Sequence, residues 1–409
     1  MSDAPTTTEA TTELADGHNP VDSEPPLRSR ANALRQIGSI ERARSLTLLG
    51  ILIAVALLFQ VLTDGLFLTS RNLTVLSVQV AITAILAAGI VMIMVPAHID
   101  LSIGAAVSVT AIVTALTMKD LGASAPVAVV LTLLAGLAIG LWHGLWIAVM
   151  GVPAFIVTLA SLLALRGLAL LLTKGETVAP GTEITSIAAT FISPALTVLI
   201  FAALLAGFAG LLLRERNARL AAGMQAPLGP TVLLPSALFG LICLGAAFVA
   251  VSYQGLPLPV LFLLVVVVAI SLLLRQTRFG RHLYAMGGNP VAARYAGIRT
   301  RRHTFTIFAI MGVLYGVAGL ILVARLGSAP PNAATGLELN VIAAAVIGGT
   351  SLLGGVGTVA GAIMGALLME SLNNGMSLMN LPSYWQQIAV GFVLLVAVYL
   401  DVRSRREKT

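Results

Sequence analysis

The sequence predicts an all-α fold, a polytopic bundle of about twelve membrane-crossing helices. Three observations predict it. Hydrophobic residues make up 58% of the chain and charged residues only 10%, whereas roughly a quarter of the residues of a soluble domain carry charge. The apolar residues fall into runs close to the roughly 20 residues a bilayer-spanning helix needs. The basic residues lie in short blocks between those runs, which is how membrane proteins fix their orientation. A net charge of +7 distributed in this way is read as topology, and a nucleic-acid partner is set aside.

Taken in order, residues 1–45 are rich in Thr, Glu, Pro and Ser and then basic from Arg28 to Arg44. Without an apolar run this region is expected to be a disordered basic tail rather than a cleaved signal peptide. A transmembrane domain is expected over 46–402, with apolar runs at 46–63, 73–96, 101–118, 125–150, 153–173, 192–213, 231–251, 258–274, 304–324, 338–353, 355–373 and 384–401. A short tail over 403–409 closes the chain. Backbone in hydrocarbon must satisfy its own hydrogen bonds, which makes each run a helix surrounded by membrane lipid.

With the N-terminal tail placed inside, alternation puts 28–44, 214–219, 275–302 and 403–408 on one face. These blocks hold nineteen of the twenty-four Lys and Arg residues. The positive-inside rule then predicts a plasma or inner membrane protein with both termini in the cytoplasm.

The most basic of these loops, 275–303, contains RFGRHLYAMGGNPVAARYAGIRTRR (278–302). Six arginines surround a small-residue segment that reads as a short capped helix. Asn289 is the N-cap, Pro290 occupies a first helical position that suits its fixed φ, and Gly297 suits the left-handed turn that ends the helix. Two turns cannot hold themselves together in water. The helix, with Ala292, Tyr295 and Ala296 on one side, is therefore expected to lie against the face of its own bundle or against a partner.

After residue 45 the chain resembles the permease subunits of bacterial carbohydrate ABC importers, the ribose, galactose, arabinose and xylose group, and within it the xylose type. The motifs that carry the resemblance are IDLSIGA (99–105), VPAFIVTLASLLALRG (152–167), RFGRHLYAMGGNPVAARYAGI (278–298), IAAAVIGGTSLLGGVGTVAGAIMGALL (342–368) and LNNGMSLMNLPSYWQQIAVG (372–391). The stretch 191–252, two spans more than ribose-type permeases carry, points to the xylose branch. The resemblance implies import of a monosaccharide, D-xylose first, with ribose, arabinose or galactose as alternatives. It implies an ATPase subunit, expected as a fused pair of nucleotide-binding domains, an extracytoplasmic sugar-binding protein and a homodimer of this chain. It also implies that Gly287, Gly288, Asn289, Pro290, Ala292, Ala293, Arg294 and Gly297 form a coupling helix entering a groove of the ATPase.

Other polar positions are candidates for the substrate path or its mouth. Asp100 and Ser102 lie where one apolar run gives way to the next. A carboxylate at the bilayer centre costs roughly 3 kcal/mol or more. Asp100 therefore either caps the next helix near the surface or, if deep, lines a cavity. The glycine-rich 347–361 either exposes backbone along a path or allows close helix packing. Glu370, Asn373, Asn374, Ser377, Tyr384, Trp385 and Gln386 offer the amides, hydroxyls and aromatic surface a sugar needs, near the outer mouth on this topology. Arg166, in the outer half of its span, is expected to snorkel as a structural residue.

Several chemistries are not supported. GGVGTVAG (354–361) lacks the βαβ context of a dinucleotide site, and no G-x-x-x-x-G-K-[ST] occurs, so ATP must be hydrolysed elsewhere. Five scattered histidines and the single Cys243 suggest no catalytic residue, no metal site and no cofactor. An ion-coupled transporter would need coupling groups within the spans, and only Asp100 and Glu370 offer them.

Overall fold

The computed structural model describes residues 47–406. The expected tail over 1–45 and the last three residues lie outside that range. Among the described residues each of the twelve apolar runs contains a helix. They correspond to α1 (Thr47–Leu62), α2 (Ser70–Met94), α3 (Ile103–Lys119), α4 (Ala125–Gly144, continued by a wide turn to Val149) and α5 (Ala154–Thr173). After a surface helix, α6 (Thr182–Ala189), come α7 (Pro194–Ala221), α8 (Leu234–Val251, preceded by a wide turn from Gly229) and α9 (Leu258–Gln276). Two short helices, α10 (Arg278–Gly288) and α11 (Pro290–Tyr295), precede α12 (Thr300–Leu326), α13 (Leu337–Ile347), α14 (Val359–Leu378) and α15 (Ser383–Arg406).

Among the described residues, seven helices are long and apolar enough to cross a membrane by length and composition: α2, α4, α5, α7, α8, α9 and α12. The other five apolar runs form shorter or more polar helices. The extreme case is α13, whose 11 residues reach only about 16 Å at 1.5 Å per residue.

The core is built on α2 and α12, whose side chains are mostly buried. The contact between α4 and α12 is the most extensive between two helices among the described residues. Gly136, Gly140 and Gly144 recur every fourth residue on one helix, and Gly312 and Gly316 on the other. A Cβ on Gly140 would stand 2.7 Å from the Cα of Gly312, and one on Gly312 would stand 2.8 Å from the Cα of Gly140. Between membrane helices, where no hydrophobic drive exists, this approach supplies the dispersion contact that holds the pair.

The stretch 191–252 is peripheral. Helices α7 and α8 pack mainly on each other, with Phe208 and Phe239 4.5 Å apart by ring centroid. They are tied back through a two-residue ribbon, β1 (Phe191–Ile192) against β2 (Leu256–Pro257). Thr197 reinforces the tie by accepting from the Leu256 N–H at 3.1 Å. Two basic segments between the apolar runs carry more helix than sequence alone indicates. The basic block 214–219 is not a loop, because Arg-Glu-Arg-Asn-Ala-Arg favours helix and α7 runs on to Ala221. The loop 275–303 is likewise mostly helical, since Thr277 caps α10 by accepting from the Gly280 N–H at 3.2 Å.

Candidate functional site

The basic hairpin is built from α10 and α11. Asn289 Oδ1 accepts from the N–H groups of Val291 at 3.1 Å and Ala292 at 2.9 Å, so the expected N-cap forms with Pro290 at the first helical position. At the other end Gly297 takes φ +80°, with bonds from Gly297 N to Arg294 O at 2.9 Å and from Ile298 N to Ala293 O at 3.1 Å. This pair is the Schellman arrangement that ends a helix on a left-handed residue. The alanines divide. Ala293 is 4% exposed and belongs to the chain's own core, which corrects its expected place on the partner-facing side. Ala292 lies with Val291, Tyr295 and Ala296 on an open face, Tyr295 being 89% exposed. Arg294 and Gly288 are also exposed.

The tightest of the contacts that fasten the hairpin to the bundle is at Gly287. A Cβ on Gly287 would run into the Val95 carbonyl oxygen and stand 2.5 Å from Gly355 N. The Gly355 N–H in turn donates to Val95 O at 2.8 Å, and Tyr284 donates to Gly357 O at 2.7 Å. Three segments thus converge: the end of α2, the end of α10, and the glycine turn 348–358.

From that junction the chain runs into the bundle without helix. Residues 95–97 form a turn, with Ala97 at φ +64°, and 98–102 are non-helical. His98 Nε2 lies 3.3 Å from Thr304 Oγ1 near the start of α12, and Ile99 O accepts from Thr158. Asp100 then reaches Tyr315, whose hydroxyl donates to Oδ2. Tyr315 sits about 22 Å along α12, so this meeting is near mid-depth. Ser102 donates to Asp100 Oδ1 through its N–H at 2.9 Å and its hydroxyl at 2.6 Å, and α3 begins there. The two readings of Asp100 therefore resolve into a third. It caps the turn into α3 and it is deep, yet Asp100 and Ser102 are fully buried in protein and line no open surface.

A second crossing repeats this plan in the opposite direction. Beyond α12, Ala329 pairs with Val178, and the non-helical chain descends until the Ala334 N–H donates to Ser108 Oγ at 3.2 Å. There α13 starts and returns to the glycine turn. The N-termini of the two half-helices meet, with Gly104 against the Ala334 carbonyl and the Glu338 carboxylate. Each carries an acid, Asp100 just before α3 and Glu338 in the first turn of α13, as the positive end of a helix dipole favours. Glu338 Oε1 faces Arg166 at 3.4 Å. Arg166 therefore does not snorkel outward as expected but is turned inward to a partner.

The mouth candidates are mostly structural ties. Glu370 accepts from Thr83 at 2.6 Å, and Asn374 exchanges amide hydrogen bonds with Asn72 at 2.9 and 3.1 Å. Both are buried and lock α14 to α2. Asn373 is half-buried, Gln386 donates to Leu381 O at 3.3 Å, and Trp385 is 53% exposed beside a shallow apolar hollow with Ile388 and Phe392.

Sequence reasoning missed the Arg166–Glu338 pair, Tyr315 as partner of Asp100, and the glycine crossing of α4 and α12. Only the last left a readable signal, the G-x-x-x-G spacing. His143 is also central in the packing. It is fully buried, with its ring edge-on to Phe308 at 6.0 Å and Tyr315 at 6.4 Å between centroids.

Residues 72–398 match the family described as the permease component of branched-chain amino acid transport systems. The chain belongs to this permease family. The permease is 45% identical over 356 residues to the xylose transport system permease protein of Escherichia coli (strain K12), covering 87% of this chain and 91% of that one. The corresponding protein of Haemophilus influenzae is 42% identical over 361 residues, 87% of this chain and 96% of that one. The ribose import permease protein of Escherichia coli (strain K12) is 34% identical over 340 residues, 83% and 88% of the two chains. No solved structure matches the permease. Family and helices together make it a multi-pass membrane protein.

Proposed function

We propose that this chain is the membrane-spanning subunit of an ATP-driven ABC importer that brings D-xylose into the cytoplasm. Near-full-length similarity to xylose permeases, above the identity to a ribose permease, carries the reading. On this reading the basic hairpin lies in the cytoplasm with both termini. Gly287, Gly288, Asn289, Pro290, Ala292, Arg294 and Gly297 form or shape the surface that meets the ATPase, and Ala293 anchors it from beneath. The open face of Val291, Ala292, Tyr295 and Ala296 supports the docking role, since apolar side chains exposed on a short helix favour a partner. One hairpin per chain and two nucleotide-binding domains per hydrolytic unit favour a homodimer with a fused double ATPase. A sugar-binding protein then delivers the substrate at the opposite face.

The test is uptake by proteoliposomes holding this chain, its ATPase and its binding protein. ATP-dependent accumulation of labelled D-xylose, little displaced by equimolar ribose, is the expected result. Accumulation of ribose but not xylose overturns the substrate. Uptake driven by an imposed ion gradient without ATP overturns the importer.

A further inference from the structure

Arg166 is the thirteenth residue of α5, about 10 Å below the outer end of that helix. Its side chain is 41% exposed, yet it points to the 8% exposed carboxylate of Glu338 rather than toward the membrane surface. A guanidinium facing hydrocarbon at this depth would cost roughly 3 kcal/mol or more. What it faces is therefore not lipid.

A second, independent observation concerns the segment that enters α13. Residues 330–336 are not helical, and Asn332 and Thr335 are exposed. Ala334 lies between them and is held by Ser108, about 16 Å below the outer end of α3. Irregular backbone at membrane depth is tolerated only where protein covers it or where it lines a water-filled space. One turn on, Leu339 is exposed and Asn340 half-buried. The outward surface of α8 differs in kind, presenting Leu241, Ile242, Leu244 and Phe248. That is a surface for lipid.

We infer that Arg166, Asn332, Thr335 and Asn340 line the aqueous passage of the permease, forming a subsite for an uncharged, hydroxyl-rich solute. The choice of solute rests on the importer reading; hydration of the strip does not. The guanidinium supplies several hydrogen-bond donors, and the two amides and the hydroxyl both donate and accept, which matches the edges of a polyol. Glu338, Asp100 and Tyr315 stand behind this wall. Glu338 orients Arg166, and Asp100 fixes the start of α3 against which the wall rests.

The experiment places single cysteines at Asn332→Cys, Thr335→Cys and, as the lipid-facing control, Leu241→Cys, each in a Cys243→Ala chain assembled with its ATPase and binding protein in liposomes. The label is an anionic, membrane-impermeant methanethiosulfonate. Reaction at Asn332→Cys and Thr335→Cys faster than at Leu241→Cys by about tenfold or more is the expected outcome, since aqueous thiolate is the reacting species. Rates within about threefold of one another at all three positions overturn the proposal, because lipid or a dry contact would then cover the strip. In a second measurement, Arg166→Gln in the Thr335→Cys chain should lower the ratio of anionic to cationic reagent rates by about threefold or more if the guanidinium shares the passage. An unchanged ratio removes Arg166 from the wall. Sugar uptake measured on the same liposomes reports separately on the importer reading, which labelling does not require.

Discussion

Replacing Gly287 by alanine sets a methyl group where backbone atoms of two other segments already stand. The new Cβ would fall on the Val95 carbonyl, 2.9 Å from its carbon, and 2.5 Å from Gly355 N, where ordinary carbon contacts need roughly 3.5 Å. None of these atoms can swing aside as a side chain would, so α10 must withdraw by about 1 Å. The Gly355–Val95 bond at 2.8 Å and the Tyr284–Gly357 bond at 2.7 Å loosen with it. Overpacking of this kind costs about 1–3 kcal/mol, and a middle value of about 2 shifts the docked hairpin by roughly 30-fold against the native position. At Gly288, by contrast, an added Cβ meets no atom within 4 Å. The assay is the ratio of sugar transported to ATP hydrolysed in the reconstituted complex. Gly287→Ala should lower that ratio by about tenfold or more, while Gly288→Ala stays within about twofold of the parent. Equal ratios in the two variants would refute the idea that the Val95 junction holds the hairpin in its working position.

Gly140→Leu should prevent α4 from closing on α12 and abolish the monodisperse peak in fluorescence-detected size-exclusion chromatography, whereas Gly207→Leu, whose Cβ would meet no atom within 4 Å, leaves it intact. Tyr295→Ala should weaken co-purification of the ATPase by about tenfold without altering thermal stability, as loss of an exposed aromatic anchor would. Ala293→Trp should do the reverse, lowering the stability of the permease itself because that side chain is buried in its own core.

The hairpin caps were legible because the Asn289 side chain and the Gly297 backbone act within a few residues of their own positions. The positions of Asn289, Pro290 and Gly297 needed no tertiary information. The apolar runs were legible for a similar reason, as length alone implies helix in a bilayer. Which of Ala292 and Ala293 faces outward was not, because a six-residue helix can be rotated on its bundle without changing its sequence pattern. The mid-depth site was hidden more thoroughly. Asp100 and Tyr315 are 215 residues apart, and Arg166 and Glu338 are 172 apart, so no local spacing announces either pair. Glu370 and Asn374 looked like a polar mouth because composition reports that a polar group is present but not whether another helix already satisfies it.

The reliance of the core on α2 bears on how the protein is made. Thr83 and Glu370 are 287 residues apart in the chain. At roughly 5–20 residues per second, synthesis leaves α2 without its partner helix for about 15–60 s. During that interval a non-helical segment, 96–102, and the acid it carries have no α12 to receive them, although Tyr315 and Thr304 are their eventual partners. Early helices can insert on their apolar length alone, but the centre of the bundle closes only when the last third of the chain arrives. Chains truncated before α12 would therefore be recognised and degraded rather than accumulate as stable half-bundles.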